Sequence, residues 1–280
     1  MILLDGVFTL AFMGVCCGAG LSILRWVGTA PQRTARWLFG FAVGFFVLTH
    51  GIMVLGFAHR LTPSGLWGWF FGLTLASIPG WWFEWKNRSS ETAGGVSPVT
   101  IPLPSRTLVR TAFWLFLALC LFNWVFAYSP PKGGDEVFYH LTIPKLSLER
   151  NQFAAFDDLP FSFLPMTAQA GYTFLMGVRN DIVARCLHAV FGVLSVLVLS
   201  FMTKEIFKVP WAVTASLAYL TPLFVCLSGR GDSDFFALFY VLLSVWAFMN
   251  HREEGKSPWL LLGSFCGGRP FQSNTNPSLL

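Results

Sequence analysis

The chain has 280 residues, of which 54% are hydrophobic and only 12% charged, with a formal net charge of +5. This balance excludes an ordinary soluble domain and points to a bilayer as solvent. The basic residues lie in short gaps between apolar runs instead of forming one soluble patch, so they report membrane orientation and no nucleic-acid partner is expected.

A helix that crosses the hydrocarbon needs about 20 mostly apolar residues, because roughly 30 Å must be covered with every backbone polar group paired inside the helix. Seven stretches meet this length, at residues 6–24, 37–58, 66–85, 111–128, 182–201, 211–227 and 235–250. An eighth begins at Pro258, and Arg269, Pro270 and the following Asn/Ser run are expected to end it early. The N-terminus carries Asp5 and no basic stretch before its apolar run, so a cleavable signal is not expected. Cys16, Cys17, Cys120, Cys186, Cys226 and Cys266 lie in or beside apolar runs, where they read as small buried hydrophobes and not as a disulfide framework.

The gaps alternate in charge. Arg25, Arg33 and Arg36 follow the first span, Lys86, Arg88, Arg106 and Arg110 the third, Lys204 and Lys208 the fifth, and Arg252 and Lys256 the seventh. These gaps are expected on the cytoplasmic side, which puts the acidic gaps and the N-terminus outside. Trp67, Trp69, Trp81, Trp82 and Trp85 suit an interfacial belt around the third span. The glycosylation sequon at Asn87 falls in a cytoplasmic gap and is read as chance. The predicted organisation is three leading transmembrane helices over 1–86, a Ser/Thr/Gly/Pro-rich cytoplasmic linker over 87–110, a transmembrane core over 111–265, and an aberrant tail over 266–280.

The outer loop over 129–167 is longer than a plain connection requires. After Pro130-Pro131-Lys132-Gly133-Gly134, residues 135–150 have apolar positions at near-helical spacing, which predicts a short helix on the membrane surface, bent by Pro144. A second short or re-entrant helix is predicted over 166–178. The fold class is thus all-α: a polytopic transmembrane bundle with a long outer loop carrying short membrane-surface helices.

Asp135 and Glu136 stand where this loop leaves the bilayer. A carboxylate there can take the proton of an acceptor hydroxyl or help to fix a metal ion, while a cation stabilises a departing phosphate. The same pair also suits a helix N-cap followed by a favourable first-turn charge. Asp181 and Arg185 have the spacing of an i,i+4 ion pair, with phosphate contact the other reading of Arg185. Asp232 and Asp234 fall on the same predicted side as Asp135, as a second acidic contribution requires and as a plain solvated loop also allows. His188 suits an interhelical hydrogen bond, His50 and His59 have no accompanying ligand pattern, and the Arg230-Gly231-Asp232 tripeptide carries no information.

The stretch Asp135-Glu136-x-x-Tyr139-His140-Leu141-x-x-Pro144-Lys145, entered from an apolar span, resembles the first extracytoplasmic loop of the GT-C superfamily of polytopic glycosyltransferases. It is most similar to bacterial enzymes related to protein O-mannosyltransferases and lipid A aminoarabinose transferases. The resemblance continues through the Pro165-x-x-x-Gln169-x-x-Tyr172 stretch, Asp181, Arg185, His188 and the Gly231-Asp232-Ser-Asp234 turn, over about residues 111–263. It implies transfer of a sugar from a polyprenyl-phosphate carrier to a lipid, glycan or protein acceptor on the outer face of a bacterial plasma membrane. Asp135 and Glu136 would be the catalytic pair and, if a divalent metal takes part, its ligands. Tyr139, His140, Lys145, Gln169, Arg185, Asp232 and Asp234 would line donor or acceptor. Gln169 stands where the family has an acid. The lipid-linked sugar is a substrate, and no organic cofactor is implied. Members of this kind continue for further helices, so a truncated chain, or one frameshifted near Arg269, is expected. A polytopic transporter or assembly subunit is the rival reading, but it would place charges at the bilayer midplane and not at the outer boundary.

Overall fold

The computed structural model describes residues 2–27, 33–86, 105–131, 134–159, 162, 167–221, 224, 227 and 230–274. Among them the protein is helical throughout, with a single isolated bridge between Phe156 and Leu159 in place of any sheet. The long helices are α1 (Ile2–Val27), α2 (Arg33–Phe57), α3 (Pro63–Lys86) and α4 (Arg106–Phe126). A π-helical turn (Glu136–His140) and the short helices α5 (Thr142–Glu149) and α6 (Thr167–Val178) follow. The chain then forms α7 (Asp181–Phe207), α8 (Trp211–Tyr219), α9 (Asp234–Glu254) and α10 (Ser257–Asn274).

Five helices are long and apolar enough to cross a membrane: α1, α2 from Ala35, α4, α7 and α9. The chain is therefore an integral multi-pass membrane protein. The third predicted span forms a helix of 24 residues but is not among these five, because its apolar run is diluted by glycine, serine, tryptophan and Glu84. The sixth predicted span is helical as α8 only to Tyr219, and most residues from 222 to 229 lie outside the described part. So do the Asn87 sequon, the predicted linker up to residue 104, Cys226, Lys132 and the last six residues. α4 begins inside the predicted linker because Ser105 caps it, its hydroxyl accepting from the Leu108 amide at 3.2 Å. α10 continues to Asn274, since a proline removes one backbone bond from a helix without necessarily ending it.

α7 runs through the centre of the molecule and is buried along most of its length. A phenylalanine-rich core surrounds it, with Phe45 and Phe191 ring centroids 5.0 Å apart and Phe191 and Phe236 5.2 Å apart. The leading helices share this core: Phe12 of α1 stacks on Phe174 of α6, and Tyr240 of α9 donates to the Ala42 carbonyl of α2 at 2.7 Å. α1 and α2 cross at backbone contact, where a Cβ on Gly20 would lie 1.8 Å from the Gly40 carbonyl oxygen, so only glycine fits. α4 is the outlier: Trp114, Leu121 and Phe122 point outward with no protein cover, as a lipid-facing helix requires.

Ionisable groups segregate to the two ends of the bundle. At one end Arg36 pairs with Glu84 at 2.9 Å, Arg25 lies over the Phe83 ring, and Trp246 donates to Glu205 at 2.7 Å. At the other, Asp5 is fully buried and accepts from Arg179 at 2.8 Å and from the Tyr128 hydroxyl at 3.2 Å. The long loop lies at this second end. It is fastened to the α2–α3 corner, with the Leu61 amide donating to the Asn151 carbonyl at 3.1 Å and the Phe153 amide to the Gly56 carbonyl at 3.3 Å.

Candidate active site

The first half of the loop is built around the π-helical turn. The Leu141 amide reaches back five residues to the Glu136 carbonyl at 3.0 Å, which widens the helix and turns Glu136 and His140 to the same, inner side. Asp135, Val137 and Phe138 remain exposed. The bend falls at Leu141, ahead of Pro144, which sits in the first turn of α5 where no amide donor is needed. Asp135 is itself helical and makes no side-chain capping bond, so its carboxylate is not used as an N-cap.

Glu136 is 1% exposed. Its Oε1 accepts from the Gly231 amide at 2.9 Å and lies 3.9 Å from Nε of Arg185, a contact of charge and not a hydrogen bond. Arg185, one turn into α7, is 3% exposed. Its Nη1 donates to the Ser129 carbonyl at the end of α4, and its Nη2 lies 3.9 Å from Asp181. The i,i+4 pair is therefore present but is one of several engagements. Gly231 is closely enclosed: a Cβ there would meet Arg185 Cγ and Leu141 Cδ2 at 3.3 Å and Glu136 Oε1 at 3.4 Å.

His140 is buried beside Gln169 of α6, whose amide Nε2 lies 3.1 Å from Nδ1. Burial pushes its pKa from 6.5 down to about 4, so the imidazole is neutral at physiological pH and, in the tautomer protonated at Nε2, its Nδ1 accepts from the amide. Tyr139 lies against the His140 ring with centroids 4.1 Å apart. Its phenol pKa is raised, first by burial and then by Asp135, Asp232 and Asp234, which puts all three carboxylates within electrostatic reach of one hydroxyl. Asp232 is 8% exposed, and its carboxyl is pushed from 3.8 up to about 6 by burial, then by Asp234, with Glu136 and Asp135 adding to the effect and Arg230 opposing it. The backbone of that turn is held by Tyr172, whose hydroxyl donates to the Asp232 carbonyl. His188 accepts from the Phe235 amide at 3.4 Å and stacks on that ring, an interhelical contact.

Lys145 stands on another face. It is exposed on α5 and lines a cleft of about 450 Å³ together with Val137, Leu141, Leu148 and Met176, while Asp135 and Tyr139 do not line it. Asp135, Asp232 and Asp234 are thus within electrostatic reach of Tyr139 at one mouth, where Asp135 and Asp234 are exposed and Asp232 is buried; Glu136, His140, Gln169 and Arg185 are pinned inside, and Lys145 stands in a neighbouring, largely apolar cleft that Glu149 and Asp181 also line. The donor set does not fit a bound cation. Among the described residues no three His, Cys, Asp or Glu side chains are placed closely enough to hold one metal ion, and Glu136 is already engaged by an amide and a guanidinium.

Sequence reasoning missed Gly231, Tyr172 and Ser129 as supports, and the Asp5–Arg179–Tyr128 cluster altogether. Asp5 did carry a signal, as an acid in the first turn of an otherwise apolar helix. A backbone carbonyl such as that of Ser129 leaves none.

No curated protein and no solved structure matches the chain at a significant level. The description of the matching protein family is dolichyl-phosphate-mannose-protein mannosyltransferase, and the match covers residues 162–270. It takes in Gln169, Tyr172, Arg185, Gly231, Asp232 and Asp234 and starts after Asp135–Lys145, so it is shorter than the stretch over which the sequence resemblance was drawn. Over residues 162–270, then, the chain is similar to the dolichyl-phosphate-mannose-protein mannosyltransferases, a family of membrane glycosyltransferases.

Proposed function

We propose that the protein transfers a sugar from a polyprenyl-phosphate-linked donor to a hydroxyl of an extracytoplasmic lipid, glycan or protein, in the manner of GT-C enzymes. The observation that carries this reading is the joining of the loop to the family segment. Asp135 lies outside the matched residues, yet Glu136 and His140 beside it are bonded to Gly231 and Gln169 inside them.

In this reading Asp135, exposed at the mouth, accepts the proton of the acceptor hydroxyl as its oxygen bonds to the anomeric carbon. The bond from that carbon to the phosphate oxygen breaks, and the polyprenyl phosphate departs. The cleft beside the mouth is the place for such a donor: Val137, Leu141, Leu148 and Met176 offer apolar walls for the chain, and the Lys145 ammonium is available for the phosphate, although Glu149 and Asp181 also line the cleft and would repel it from their side. Tyr139, Asp232 and Asp234 border the acceptor. The three leading helices and the core from α4 onward act together, with the loop fastened to both, and the mouth faces the extracytoplasmic side of a bacterial plasma membrane.

The test is Asp135→Asn in a cell-envelope glycan assay. Loss of the glycan product with correct insertion of the protein is expected. Unchanged glycosylation would defeat the assignment of Asp135 as base.

A further inference from the structure

The geometry points to Glu136 and Arg185 as positioning residues that hold Asp135 at the mouth, with neither touching substrate. This rests on the proposed transfer reaction and replaces, for these two residues, the roles of catalytic acid and phosphate ligand that their sequence context suggests.

Both side chains are closed off from the mouth, at 1% and 3% exposure. Arg185 makes three engagements, two of them to chain outside its own helix. Nη1 holds the Ser129 carbonyl where α4 ends, Nη2 faces Asp181 where α7 begins, and Nε faces Glu136 in the loop. Glu136 adds a contact to a further segment through the Gly231 amide, in the turn that also carries Asp232 and Asp234. The carboxylate and the guanidinium thus join the two strands of chain that supply the acidic groups. Asp135 immediately precedes the pinned residue, so a shift of Glu136 swings Asp135 relative to Asp232. Glu136 and His140, four residues apart, lie on one face of the turn and are both buried, while Asp135 stays outside. The Glu136 oxygen that accepts from the Gly231 amide is covered by that backbone, and a Cβ on Gly231 would lie 3.4 Å from it.

Glu136→Gln and Glu136→Ala separate positioning from catalysis. A glutamine oxygen still accepts from the Gly231 amide, whereas alanine cannot. Glu136→Gln is expected to keep kcat within about tenfold of the unaltered protein. Glu136→Ala should lower kcat by about 100-fold, the scale of a misplaced reacting group, with the donor KM changed less than about threefold. Hydrogen exchange of the amides in 134–149, on the full chain in nanodiscs, gives a readout independent of activity. Exchange should rise about tenfold or more in Glu136→Ala and stay within about threefold in Glu136→Gln. Two results would overturn the inference: Glu136→Gln as inactive as Asp135→Asn with native exchange, which would make Glu136 a catalytic acid, or Glu136→Ala with unchanged exchange. Full activity of Asp135→Asn would instead sink the transfer reading and leave the exchange result to decide the clamp by itself.

Discussion

Replacing Arg179 by alanine tests whether the leading helices are locked onto the family segment. Asp5 of α1 has no side-chain exposure, and its Oδ1 lies 2.8 Å from Arg179 Nε, whose side chain is 29% exposed. The two partners are therefore unequal. Without Arg179, a fully buried carboxylate keeps only the Tyr128 hydroxyl at 3.2 Å, and breaking a buried pair from one side costs about 3–5 kcal/mol. Without Asp5, the guanidinium can turn toward water, and the cost is nearer the ~1.5–3 kcal/mol of a charged hydrogen bond. The ordering follows: Arg179→Ala should destabilise more than Asp5→Ala, and the double variant less than the sum by about 1–3 kcal/mol. At roughly 2–4 °C per kcal/mol for a domain of this size, Arg179→Ala lowers the apparent melting temperature by about 6–20 °C. Heating the protein in detergent and following the monodisperse fraction by size exclusion measures this directly. A drop below about 2 °C, or strict additivity in the double variant, would refute the reasoning.

Further outcomes follow from the same contacts. Gly44→Ala places a Cβ 1.7 Å from the Cys16 carbonyl oxygen, which is backbone and cannot step aside, so α1 and α2 must separate; Gly14→Ala, with nothing within 4 Å, is the matched control and should melt normally. If the Lys145 ammonium contacts the donor phosphate in ground and transition states alike, as proposed, Lys145→Gln should raise the donor KM roughly tenfold with kcat nearly unchanged, measured by steady-state transfer. Asp232 titrates near pH 6 in the folded protein. If its anion is required, activity falls as pH drops through 6, and Asp232→Asn removes that limb from the pH profile. Its effect on stability has the opposite sign: a carboxyl raised from 3.8 to about 6 favours the folded state below pH 4, and that contribution is lost as pH rises through 6.

The spans were legible because membrane helices are read from run length and hydropathy, and α1, α2, α4, α7 and α9 satisfy both. α3 and α8 show where that signal thins, in a tryptophan- and glycine-diluted run and in a helix ending at Tyr219. At the site, the residue types were legible and their orientations were not. Asp135-Glu136 reads as a pair, yet the π-helical turn sends one carboxylate out and the other into the protein, and no local pattern announces a five-residue backbone bond. Arg185 in an apolar helix signals a buried engagement of some kind. Its partners at Ser129 and Glu136 come from chain more than 45 residues away, and only tertiary structure brings them together. Gly231 enters the resemblance only as part of the Gly231-Asp232-Ser-Asp234 turn, and a glycine ahead of an acid in a tight interhelical turn is the available clue to its close amide contact.

The central claim is that Asp135 serves the transfer of a sugar from a lipid phosphate, and the most direct measurement is turnover of the reconstituted full chain with a labelled polyprenyl-phosphate sugar. Release of polyprenyl phosphate coupled to acceptor glycosylation is predicted, with kcat reduced about 10²–10⁴-fold in Asp135→Asn at an unchanged donor KM. Equal turnover by Asp135→Asn, or no turnover of any polyprenyl-phosphate sugar by the unaltered chain, would contradict it.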